Sequence, residues 1–142
     1  MKPTLFLLPS TALAASYQLV KNYCPSTLYL TIYNNGSTTG PFELPSGQAY
    51  INPIAGTGNT ATLSHSADIF SNQVAKLILG TSVSDDILYW SVNNASGDPF
   101  AGEQWDVTSD GTTANVCGNA TRYGPAVFAC QDNAVTLTLS AC

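Results

Sequence analysis

Four carboxylates, Asp98, Glu103, Asp106 and Asp110, crowd one short stretch of this 142-residue chain, with Trp105 among them. Two carboxyl groups held about 5–5.5 Å apart would suit a retaining glycosidase, and roughly 6.5–9.5 Å an inverting one. A turn explains the same residues. Asp98 precedes Pro99, where an aspartate accepts backbone N–H bonds. Asn94, in Asn94-Ala95-Ser96, is a glycosylation acceptor, and a glycan there would obstruct a polymer-binding cleft. We therefore expect a structural corner whose rim, Asp98, Glu103, Trp105 and Asp106, binds a ligand, and we assign no catalytic residue.

Other chemistry finds less support. His65 lies between Ser64 and Ser66, yet no Gly-x-Ser-x-Gly nucleophile elbow occurs. Asp106, Asp110 and Asn115 offer oxygen atoms without the spacing of a calcium loop. One histidine and no Cys-x-x-Cys pair argue against zinc. Neither a metal nor another cofactor is expected.

The elements that position this segment read as short strands. From Ser26 to Tyr33, Leu28, Leu30 and Ile32 alternate with Tyr29, Thr31 and Tyr33, and Asn34-Asn35-Gly36 breaks the run. Leu44-Pro45-Ser46-Gly47 turns the chain into a strand from Gln48 to Ile51, and Pro53 and Gly56–Gly58 end it. Val74–Leu79 and Ile87–Val92 pair across Thr81–Asp86, with Leu88, Trp90 and Val92 on one face. Val135, Leu137 and Leu139 mark a half-buried closing strand. Ser66–Lys76 has room for one turn of helix. Many short strands without helix–strand alternation predict an all-β sandwich or barrel.

The N-terminus carries Lys2, then the apolar Leu5–Leu8, then Ala12-Leu13-Ala14-Ala15, the pattern of a cleaved signal peptide over residues 1–15. That leaves a single domain over 16–142, expected to be secreted, extracellular or in the cell wall. Four cysteines in an exported chain predict two disulfides. Of three possible pairings, Cys24–Cys142 would tie the first strand to the last while Cys117–Cys130 closes a local loop. Asn35, Asn94 and Asn119 all begin Asn-x-Ser/Thr acceptors. Without the leader, three basic residues face nine acids, a balance of −6. Nucleic acid and anionic membranes are poor partners for such a chain, and a monomer is expected.

Several blocks resemble a known family. They are Asn22-Tyr23-Cys24-Pro25-Ser26 opening a strand, the turn Leu44-Pro45-Ser46-Gly47-Gln48, and Tyr89-Trp90-Ser91-Val92-Asn93-Asn94 leading to Gly97-Asp98-Pro99-Phe100. Cys130-Gln131-Asp132-Asn133 before the last strand completes the set. Together they resemble the fungal yeast-phase-specific protein family first named from Blastomyces, small secreted proteins related to thaumatin. The resemblance covers most of the mature chain, and Gly-Asp-Pro-Phe is its most specific block. It implies a thaumatin-like two-sheet β-sandwich stabilised by two disulfides, cell-wall-associated or facing a host. Plant thaumatin-like proteins carry many more cysteines and a second, disulfide-rich domain, so their cleft-based glucan hydrolysis does not transfer. The function expected is non-catalytic binding of a cell-wall glycan or a host protein. The alternatives are a weak β-glucan hydrolase using a loop carboxylate pair, and a secreted effector or inhibitor.

Overall fold

A computed structural model describes residues 15–110, 117–132 and 134–142. Ten strands build it: β1 (Ser16–Asn22), β2 (Leu28–Asn34), β3 (Ser37–Leu44), β4 (Ala49–Ile54), β5 (Asn59–Ser64), β6 (Lys76–Ser84), β7 (Ile87–Ala95), β8 (Trp105–Asp110), β9 (Phe128–Gln131) and β10 (Thr136–Ala141). They form two sheets, ordered β4-β1-β10-β8 and β3-β2-β5-β6-β7-β9. The chain is thus an all-β, two-sheet sandwich. Its two ends meet inside the smaller sheet, where β1 and β10 run parallel with Asn22 opposite Ala141.

Alternation in the sequence becomes burial in the sandwich, because successive strand residues point to opposite faces. Leu28, Leu30 and Ile32 of β2, Leu77 and Leu79 of β6, Leu88, Trp90 and Val92 of β7, and Leu137 and Leu139 of β10 meet in one core. A buried amide relay also spans the layers. Asn52 of β4 donates to Gln18 of β1 at 2.8 Å, and the Gln18 amide donates to the Leu79 carbonyl at 3.2 Å.

Several strand boundaries differ from the sequence reading. Pro53 does not end a strand; it lies inside β4, an edge strand, where a missing N–H is tolerated because every second one has no ladder partner. The predicted loop Thr81–Asp86 shrinks to a two-residue turn at Asp85-Asp86, both with positive φ (51° and 60°). That geometry is the tight hairpin turn whose twist matches its strands. Strands β3, β5, β8 and β9 went unpredicted. Among the described residues there is no helix, so Ser66–Lys76 is a chain of turns leading into β6. No described helix is long and apolar enough to cross a membrane.

Two disulfides clamp this frame: Cys24–Cys142 with a Cα separation of 4.8 Å, and Cys117–Cys130 with one of 5.0 Å.

Candidate functional site

The segment after β7 is built around two anchors. Phe100 is buried in the core, and Asp98 accepts a hydrogen bond from the Phe100 N–H at 2.9 Å. This is the side-chain turn that aspartate makes before proline. A second turn follows, with the Glu103 N–H donating to the Phe100 carbonyl at 2.8 Å. The chain then enters β8 at Trp105.

The opposite wall comes from about 20 residues further along. The N–H and carbonyl of Ala120 exchange bonds with Val107 at 2.9 and 2.8 Å, and the Ser109 hydroxyl donates to the Gly118 carbonyl at 2.7 Å. Segment 117–123 is thereby stitched along β8, and its continuation swings Thr121, Arg122 and Tyr123 over the Asp98 turn. Between the two walls lies a cleft of about 640 Å³ lined by Asp98, Glu103, Trp105, Asp106, Arg122 and Tyr123. All four residues named as a binding rim thus border one cleft. Thr121, Arg122 and Tyr123 were missed by sequence reasoning; the only hint was that Arg122 is one of three Lys or Arg residues after residue 15.

Each acid sits differently. Asp98 also accepts from the Tyr123 hydroxyl at 2.6 Å. Glu103 pairs with His65 Nε2 at 3.1 Å across a partly exposed rim, a contact of small net worth in solvent. Asp106, half-buried, stands opposite Ser140 in the β8–β10 ladder. Asp110, at the far end of β8, does not line the cleft. Trp105 is only 8% exposed, with the Tyr123 ring lying against it at 4.7 Å between centroids. Its indole therefore serves as a wall of the cleft and a seat for Tyr123.

Tyr123 is the perturbed group of the site. Burial raises its phenol well above the ordinary value, and the hydrogen bond and negative charge of Asp98 raise it further. A group whose folded value is raised contributes stability that is fully present below its unfolded pKa, about 10 for tyrosine, and lost as pH rises beyond it. We expect Tyr123 to stay neutral in an alkaline titration beyond the pH at which a free tyrosine ionises. Asp98→Asn should shift its ionisation downward. Phenolate absorbance of wild type and variant checks this; superimposable curves would show that Asp98 does not govern Tyr123.

His65 holds a second arrangement that sequence order concealed. Its Nδ1 lies 3.5 Å from the Ser26 hydroxyl, Nε2 faces Glu103, and the Phe100 ring packs edge-on at 5.2 Å. Serine, histidine and glutamate stand in the order of a hydrolase triad. The serine contact is longer than a working hydrogen bond, so the trio joins three loops at the cleft rim. Cys24, His65 and Glu103 also converge within 4.8 Å. Cys24 is committed to a disulfide, which leaves two free ligand groups, short of a zinc site. Of the calcium candidates, Asn115 lies outside the described residues. Asn35, Asn94 and Asn119 are all exposed, and Asn35 sits in the β2–β3 turn at φ 49°.

Comparison with solved structures finds the same fold elsewhere. The protein elicitor MoHrip2 from Magnaporthe oryzae superposes with a TM-score of 0.73 at 21% identity, covering 90% of this chain and 99% of that one. The thaumatin-like xylanase inhibitor TLXI superposes with a TM-score of 0.58 at 11% identity, covering 88% and 98%. The sandwich is therefore thaumatin-like, as the resemblance implied. Among curated proteins, none matches the chain. The model of the Blastomyces yeast-phase-specific protein family matches residues 5–142, and the chain belongs to that family.

Proposed function

We propose that this chain is an exported, non-catalytic binding protein whose acidic cleft captures a basic segment of a protein partner. The observation that carries the reading is the convergence of Asp98, Glu103 and Asp106 on one cleft. Asp98 is fixed by Tyr123 and Glu103 is paired with His65, which holds both carboxylates in place before a partner arrives. The leader-like residues 1–15, the disulfides and the exposed acceptors at Asn35, Asn94 and Asn119 support export and glycosylation. One protein of like fold is named an elicitor and another a xylanase inhibitor; carrying a partner-binding role to this chain rests on likeness of fold. A cell-wall glycan in the same cleft is the second reading, supported by the Tyr123 ring beside Trp105.

The test is retention of extracellular host proteins and of cell-wall polysaccharide on the immobilised chain, with reducing-sugar release measured on the same samples. Protein should be retained at low salt and lost as salt rises, because the contact is electrostatic. The double substitution Asp98→Lys with Asp106→Lys should weaken retention by about tenfold or more, as paired charges turn repulsive. Retention of polysaccharide that the same double substitution abolishes would favour the second reading. Sugar release that disappears in Asp98→Asn would revive the hydrolase.

A further inference from the structure

Gly80 lies in the middle of β6, an interior strand of the six-stranded sheet. Glycine there costs stability, and in strands it usually marks a bulge, a bend or a close approach by something else. None of the intramolecular reasons applies. The β6 pairing runs without a slip from Lys76 to Ser84. The backbone of Gly80 is outside the left-handed region, and an added Cβ would meet nothing nearer than the Ser91 hydroxyl at 3.8 Å.

What the missing side chain leaves is a groove of about 280 Å³ on the outer face of the sheet, floored by Gly80 and bordered by Thr60, Ser82, Tyr89, Ser91 and Val127. Cross-strand pairing extends it into a row: Thr38, Tyr33, Thr60, Gly80 and Ser91 lie side by side, and Ser82 pairs with Tyr89 in the neighbouring row. Tyr33 and Tyr89 are 39% and 41% exposed. Three ladder steps separate their strands, about 14 Å at the usual strand spacing. Neither row holds a charged residue, although the mature chain carries three cations and nine acids.

We propose that this groove is a binding site for a neutral saccharide chain, separate from the acidic cleft. Hydroxyl groups of threonine and serine both donate and accept, which matches a ligand made of hydroxyls. The tyrosine rings can cover the apolar C–H faces of sugar rings. An ionic ligand would find no counter-charge in the groove. An extended peptide adding to the sheet needs a free edge, and β6 has neighbours on both sides.

Affinity electrophoresis in gels containing laminarin, mannan or hydroxyethylcellulose, three neutral polysaccharides, tests this. At least one should retard the wild-type protein. Gly80→Gln fills the groove from a position where a side chain fits, so it should fold and lose the retardation. Tyr89→Ala, which leaves the backbone alone, should weaken binding about five- to tenfold. Asp98→Lys with Asp106→Lys should leave the retardation intact, which separates this site from the cleft. Absence of retardation by all three polymers, or full retardation of both Gly80→Gln and Tyr89→Ala, overturns the proposal. So does a retardation abolished by the cleft variant alone, which would place the saccharide in the cleft.

Discussion

Removing the Cys24–Cys142 bond by paired serine substitutions lowers the stability of the fold by about 5 kcal/mol, against about 3 kcal/mol for the Cys117–Cys130 pair. The difference comes from the unfolded chain. The first bond closes a loop with a separation of 118 residues and the second one of 13, and the entropy released on opening grows with the logarithm of the loop. The long bond also lies where that entropy matters most. It sits just beyond the parallel ladder of β1 and β10, a pairing of the two ends of the domain. Set against a usual total of roughly 5–15 kcal/mol, loss of the long bond brings the domain near its threshold. Urea unfolding of the two double-serine variants measures both values. If the local pair proved the costlier, native contacts around Cys117 would outweigh chain entropy.

Truncating Trp90 to alanine costs about 3–5 kcal/mol, the range for a large aromatic removed from a packed core. Three contacts are lost together. The ring is buried between the sheets, stacks on Phe128 at 4.2 Å, and donates its Nε1 hydrogen to the Cys117 carbonyl at 3.0 Å. Cys117 and Phe128 bracket the segment that carries Arg122 and Tyr123, so Trp90 also moors the outer wall of the acidic cleft. Gly118 belongs to the same joint: with φ 83° it accepts the Phe128 ring where any Cβ would collide. The milder Trp90→Phe keeps most of the packing and orphans the Cys117 carbonyl, worth about 1–3 kcal/mol. Faster amide exchange in residues 117–128 than in β6 is expected of that variant, with weaker partner retention. A uniform change in exchange would show that Trp90 supports the core without favouring this segment.

How much of this was legible follows from the range of each interaction. Alternation at Leu28, Leu30 and Ile32, at Leu88, Trp90 and Val92, and at Leu137 and Leu139 is a property of neighbouring residues, and it translated directly into buried faces. Strand β3 had no such mark. Its residues Ser37 to Glu43 are nearly all exposed, and only pairing with β2 makes it a strand. Strand β8 was hidden by its own acids. Asp106 and Asp110 stood out as candidate ligand groups, while Trp105 and Val107 point inward on the alternate positions.

The amino-acid sequence by itself determined the class of the fold, the faces of its main strands and the turn at Asp98-Pro99, because each depends on local residue types and spacing. The tertiary structure decided which acids share a cleft, and it sent Asp110 to the far end of β8. It alone brought Arg122 and Tyr123 opposite Asp98, through a single antiparallel bridge between Val107 and Ala120 and a disulfide from Cys117 to Cys130. It also showed that Gly80 answers no backbone need. Those facts depend on pairings between distant parts of the chain, whose registers are set by the packing of two whole sheets and not by any neighbouring residues.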